Sequence, residues 1–170
     1  MANENDSVFP LASFLVNSLA DVIDANDGVT TLREAIEAAN DTAGQNTITF
    51  DLASDAQIGL TTELEILDDL IINGGGVTIT GNGTFDNFFI NNADVVFDGL
   101  TITNGSDGIE VGGDTSLTLT NSAVVNNADD GIDLNGADNT LSIAGSDVSG
   151  NSGNGLEIDS TSSTITVTSG

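Results

Sequence analysis

Gly108-Ile109-Glu110-Val111, Gly131-Ile132-Asp133-Leu134 and Gly155-Leu156-Glu157-Ile158 repeat one pattern at steps of 23 and 24 residues. In each, a glycine leads and two aliphatic residues flank an acid. A fixed period of this length marks stacked structural repeats. The pattern continues upstream in looser form: Leu64-Glu65-Ile66 precedes Phe88-Phe89-Ile90 by 24 residues, and Phe88 precedes Ile109 by 21, which makes five units. A second strand keeps the same beat at Leu70-Ile71-Ile72, Val95-Val96-Phe97, Leu117-Thr118-Leu119, Leu141-Ser142-Ile143 and Ile165-Thr166-Val167. A third, at Val77 to Ile79 and Leu100 to Ile102, weakens to Val124 and Val148 in later units.

Apolar and polar residues alternate within these strands, and Gly, Asn, Asp and Ser separate them, so each strand buries one face. Strands this short cannot pair within a unit. Stacked on the next unit, each meets its copy about 4.8 Å away. The expected fold is therefore all-β, a parallel β-helix of about five coils and about 25 Å in length at that spacing. Ile109, Ile132 and Leu156 should form one internal stack, Val111, Leu134 and Ile158 another, and Leu117, Leu141 and Ile165 a third. Asn82, Asn104, Asn127 and Asn151 follow at steps of 22, 23 and 24. They are expected to stack as an amide ladder at equivalent turns.

The chain has 170 residues, 27 of them acidic against the single cation Arg33, for a formal net charge of −26. Such a surface repels phosphate, so nucleic acid is an unsuitable partner. The absence of Cys, His, Lys, Tyr and Trp removes the thiol nucleophile, the Ser-His dyad, the Schiff-base lysine and the imidazole ligand. Hydrophobic residues at 38% separate the chain from disordered acidic sequences. No apolar run approaches the length of a membrane span, so no membrane insertion is expected. Phe9 to Val16 has no basic residue before it and reads poorly as a signal peptide.

Residues 31 to 39 are the one convincing helix. Thr31-Leu32-Arg33-Glu34 fits a capping box, and Leu32, Ala35, Ile36 and Ala39 fall on one apolar stripe. Its expected target is the open end of the solenoid, which otherwise exposes core and strand edges. This divides the chain into a tail (1–12), a capping strand and helix (13–46) and coils (47–170) with an uncapped C-terminal end. That open rung is a candidate surface for homotypic end-to-end association. The apolar Val8-Phe9-Pro10-Leu11 is expected to pack beside the helix or reach a neighbour.

Phe14-Leu15-Val16-Asn17-Ser18-Leu19-Ala20-Asp21, Leu32-Arg33-Glu34-Ala35-Ile36-Glu37-Ala38-Ala39-Asn40 and Asn46-Thr47-Ile48-Thr49-Phe50 resemble a known family's N-terminal segment. That family is the right-handed parallel β-helix proteins with a Cys-Ser-Leu-Arg-Glu-Ala-Ile motif. The resemblance implies a right-handed coil, in keeping with the general handedness of parallel crossovers. It also implies a module of large bacterial secreted or cell-surface proteins, many of them adhesin-like. Thr30-Thr31 stand where that motif has Cys-Ser, so any role of the cysteine is absent.

Glu110, Asp133 and Glu157 point outward as a carboxylate ladder, and Asp107 and Asp130, with Asn154, stand in the turns beside it. Unit charges 4.8 Å apart repel by about 0.9 kcal/mol in bulk water. Ca²⁺, bound by carboxylate and carbonyl oxygens, would offset that repulsion, and a solvated, salt-screened face is the alternative. Asp24-Ala25-Asn26-Asp27-Gly28 fails as an EF-hand, because Ile23 and Ala25 fall on ligand positions, and reads as a turn into the helix. Glycosidases need two carboxyl groups at a set spacing, but adjacent rungs of any such ladder meet it, so the spacing discriminates nothing. Arg33 is the one basic group available to clamp a polyanion, and an i,i+4 pair with Glu37 is its simplest role. The chain therefore reads as a non-catalytic structural or adhesive module, extracellular or at a cell surface. It requires no cofactor, and a carbohydrate or another cell-surface group is its candidate ligand. A fibre-forming solenoid and a polysaccharide-active enzyme are the other readings.

Overall fold

A computed structural model describes residues 11–169, and the chain coils as the period predicts. It begins with β1 (Ser13–Val16) and α1 (Leu32–Asn40), then winds coils of three strands each. The first coil holds β2 (Asn46–Phe50), β3 (Gln57–Gly59) and β4 (Leu64–Ile66); the second holds β5 (Leu70–Asn73), β6 (Thr78–Thr80) and β7 (Phe88–Ile90). The third comprises β8 (Asp94–Asp98), β9 (Thr101–Thr103) and β10 (Ile109–Val111). The fourth comprises β11 (Ser116–Thr120), β12 (Ala123–Val125) and β13 (Ile132–Leu134). The fifth is β14 (Thr140–Ala144), β15 (Asp147–Ser149) and β16 (Leu156–Ile158), after which β17 (Thr164–Thr168) adds one more strand.

Every strand pairs with its copy one coil away, in parallel, giving three faces. One face orders β1-β2-β5-β8-β11-β14-β17, a second β3-β6-β9-β12-β15, and the third β4-β7-β10-β13-β16. Register is exact to the residue type: Leu117 faces Leu141, which faces Ile165. Ile109, Ile132 and Leu156 likewise align, as do Val111, Leu134 and Ile158. The strand that weakens in the sequence is kept in all five coils, with its single inward residue stacking through Ile58, Ile79, Ile102, Val124 and Val148. Its first copy, Gln57-Ile58-Gly59, was not legible because neither flanking residue favours a strand.

These stacks are the core, and each fully buried Leu, Ile or Val contributes roughly 1.5–3 kcal/mol. Phe88 and Phe97 widen it in the middle coils, their ring centroids 4.8 Å apart and tilted by 49°. In the last described coil the inward residues are more open, with Ile158 at 46% and Val167 at 68% exposure.

The helix closes the N-terminal end. Thr31 is its N-cap: the hydroxyl accepts from Glu34 N at 3.2 Å, and Thr31 N donates to Glu34 Oε2 at 2.9 Å. Leu32, Ala35, Ile36 and Ala39 are buried against the first coil. Asp24 to Gly28 is a turn, with Asn26 N donating to Asp24 Oδ1 and Gly28 at φ 79°. Val8, Phe9 and Pro10 lie outside the described residues.

The expected Arg33–Glu37 pair does not form. Arg33 Nε and Nη2 instead donate to the two carboxylate oxygens of Asp21 at 2.9 and 2.8 Å. Nη2 and Nη1 also reach the carbonyls of Thr62 and Glu63 at 2.7 and 2.8 Å. A planar fork with five donors suits this set better than a single exposed carboxylate on its own helix. Asp21 is 8% exposed and also accepts from Thr61 N and Thr61 Oγ1. Burial opposes its ionisation, but the hydrogen bonds from Arg33 and Thr61 outweigh it and hold the pKa below the usual carboxylate value. This cluster pins the cap to the first coil.

Arg33→Ala strips the buried Asp21 carboxylate of its cation and leaves two carbonyls unpaired. Urea unfolding should show a loss of about 3–5 kcal/mol, with Arg33→Lys recovering only part because an ammonium cannot serve all four oxygens.

Candidate functional site

The face built from β4, β7, β10, β13 and β16 carries the acids. Its outward column runs Glu65, Phe89, Glu110, Asp133, Glu157, each opposite the next. Period-2 alternation places them there, because their neighbours on both sides point into the core.

A second column lies in the turn before these strands. Asp107 N donates to Asp86 Oδ1 at 2.8 Å, Asp130 N donates to Asp107 Oδ1 at 2.7 Å, and Asn154 N donates to Asp130 Oδ1. Each carboxylate therefore accepts the backbone N–H of the rung that follows, adding to the main-chain bonds between coils at this corner, such as Gly108 N to Asp130 O and Gly131 N to Asn154 O. Asp107, Asp130 and Asn154 align as the sequence indicates, and Asp86 joins them. Its signal was present: Asp86 precedes Asp107 by 21 residues, the step that separates Phe88 from Ile109.

The five predicted acids do not form one site. Glu110 is brought together with Glu63 and Asp86, and Asp107 and Asp130 with Asp129; in each trio carboxylate oxygens lie within 4.8 Å of one another. Asp133 and Glu157 stay on the outward column, with Glu157 near the Asp130 carboxyl of the turn column. Asp133 Oδ1 is buried without a donor, whereas Glu110 Oε1 accepts from Asn135 Nδ2 at 2.5 Å. Glu63 was missed because it occupies the position that is glycine in the clean repeats. Beside it, a groove of about 410 Å³ between α1 and β4 is lined by Arg33, Glu37, Asn40, Thr62, Glu63 and Glu65.

Burial, together with crowding of like charge, raises several of these pKa values. Burial, then the charges of Asp86, Glu110 and Glu65, push Glu63 up to about 7. Asp107 rises to about 6, chiefly through burial, with the bond from Asp130 N opposing and neighbouring aspartates adding. Glu157 reaches about 7 through its hydrogen bond to Asp130, and Asp133 is raised by burial and surrounding acids.

The asparagine ladder needs correction. Asn127 N and Nδ2 both donate to Asn151 Oδ1, at 3.0 and 2.9 Å, and Gly105 N donates to Asn127 Oδ1 at 2.9 Å. The column is thus Gly105, Asn127, Asn151. Asn104 stands one position earlier, at φ 56°, where its Nδ2 donates to Gly81 O at 2.7 Å. Asn82 has the right register but turns outward to bond Thr84. Strand pairing fixes register through Thr80, Thr103, Val125 and Ser149, and Asn104 follows its strand by one residue where the others follow by two.

Raised carboxyl pKa values reverse the usual acid response. Between about 4.5 and 7 the folded chain binds more protons than the unfolded one, so stability should rise as pH falls through that window. Asp21 and Glu34 carry lowered pKa values, Glu34 mainly through the backbone N–H of Thr31, so their contribution is lost only on further acidification. Melting temperature against pH should pass through a maximum on the acid side of neutrality. Asp107→Asn keeps an acceptor for Asp130 N without the charge and should melt higher than the parent above the Asp107 value of about 6. Asp107→Ala should melt lower throughout, an orphaned amide costing about 1–3 kcal/mol.

Comparison with known proteins gives the same architecture. The family model described as "Right handed beta helix region" matches residues 45–169, from just before β2 to the end of the described chain. No curated protein and no solved structure matches the chain. The stacked coils are therefore right-handed, and the chain belongs to the right-handed β-helix family.

Proposed function

We propose that the chain is a non-catalytic structural or adhesive module of a secreted or cell-surface protein, with its acidic face stabilised by bound or condensed cations such as Ca²⁺. The observation that carries this reading is where the functional groups are spent. Asp86, Asp107 and Asp130 hold successive coils together through backbone N–H groups. Arg33, the sole basic side chain, is occupied by Asp21 and two carbonyls, which leaves no cation to clamp a polyanionic substrate. Glu63, Asp86 and Glu110 supply several oxygens at close range, the donor type that Ca²⁺ prefers.

Two measurements test this reading. Millimolar CaCl₂ should raise the melting temperature more than NaCl of equal ionic strength, and Glu63→Gln should shrink the difference; equal rises would remove the role of calcium. Incubation with a polysaccharide panel should release neither reducing nor unsaturated ends. Turnover that Glu63→Gln abolishes would replace the structural reading with an enzymatic one.

A further inference from the structure

Three Asn-x-Ser/Thr triplets fall within the described residues: Asn40-Asp41-Thr42, Asn82-Gly83-Thr84 and Asn104-Gly105-Ser106. A fourth, Asn5-Asp6-Ser7, lies outside them. Such triplets are acceptors for N-linked carbohydrate when they sit in accessible surface turns. Their occurrence in an Asn- and Thr-rich chain means little by itself, but the fold treats the three differently.

Asn40 ends the capping helix with both ends of its amide engaged. Its Nδ2 donates to Glu65 O at 2.9 Å and its Oδ1 accepts from Leu67 N at 2.9 Å. The Thr42 hydroxyl is turned away, donating to Ala38 O at 2.7 Å. Asn104 has its Nδ2 committed to Gly81 O at 2.7 Å, as part of the coil-to-coil bonding at that corner. In both, the nitrogen that would take a sugar is already a donor to main chain.

Asn82 is the opposite case. It and Thr84 are exposed, at the corner between β6 and β7. Thr84 N and Thr84 Oγ1 donate to Asn82 Oδ1 at 3.0 and 2.6 Å, and Asn82 Nδ2 makes no hydrogen bond among the described residues. The hydroxyl two residues on thus holds and polarises the carbonyl end of the amide while the nitrogen faces solvent. Gly83, at φ 77°, permits the turn, and its N–H bonds Asn104 O at 2.7 Å, so the corner is held in this shape.

We propose that Asn82 is an acceptor site for N-linked carbohydrate, selected over Asn40 and Asn104 by the fold. In the transfer, Asn82 Nδ2 attacks the anomeric carbon of a glycosyl diphosphate donor. The carbon–oxygen bond to the diphosphate breaks, the diphosphate leaves with the electron pair, and an amide proton passes to a base of the transferase. A sugar there would project into solvent from an exposed corner, outside the stacked core.

The test uses the folded chain, a soluble sequon-specific N-glycosyltransferase and UDP-glucose, with glycopeptides read by mass spectrometry. Hexose on Asn82 should exceed that on Asn40 or Asn104 about tenfold, since each of those must first give up a hydrogen bond. Synthetic peptides spanning the three triplets should show no such preference. Asn82→Gln and Thr84→Val should each abolish transfer at position 82, leaving the low level at Asn40 and Asn104 and the melting temperature unchanged. Equal modification of the three sites in the folded chain would overturn the proposal, and so would an unmodified Asn82 when its peptide is a substrate.

Discussion

Everything in this molecule depends on one constraint: strands of three to five residues have no partner within their own coil and must pair, in parallel and in register, with their copies in the next. Identical positions are therefore forced into columns. For apolar residues the consequence is favourable, because like side chains of similar volume pack on one another and each column extends the core. Ile58, Ile79, Ile102, Val124 and Val148 show this most simply, one residue per strand sufficing to define a face. It also explains the need for the cap, since the first coil presents the same columns to solvent as any other.

For charged residues the same constraint is unfavourable, and the structure answers it in two ways. In the turn column the carboxylates become part of the hydrogen-bond ladder, each taking the N–H of the following rung. On the outward column Glu110 accepts from Asn135 Nδ2 of the next coil, while Asp133 and Glu157 are crowded by neighbouring acids, which favours their protonated forms. The face thus combines acids that hold the coil together with acids that strain it. The crowding is a result of stacking: Glu63, Asp86 and Glu110 lie 23 and 24 residues apart, about one coil each, and winding brings their carboxyl groups together.

Legibility from the sequence follows the same division. The period, the stacks and the cap were readable because strong alternation and a capping box are local signals. The first copy of the third strand was not, because a lone Ile58 between Gln57 and Gly59 offers no pattern. The acids were half legible: the repeat gave the columns, but not that Glu63 replaces a glycine or that Asp129 joins Asp107 and Asp130. Asparagine counting placed Asn104 in the wrong column, because loops of unequal length change the offset between a turn residue and its strand. The role of Arg33 was out of reach for a further reason. Its partners, Asp21 and the carbonyls of Thr62 and Glu63, lie 12 to 30 residues away and belong to no repeat.

The sequence by itself determined that this chain is a solenoid, how many coils it winds, which residues face inward and which end carries a helix. All of these follow from periodicity, which survives without knowledge of contacts. Only the tertiary structure decided which turn residues share a column, what the single cation holds, which carboxyl groups meet closely enough to resist ionisation and which amides remain free. Those depend on the lengths and paths of the corners, and corner geometry is set by how one coil lands on the next.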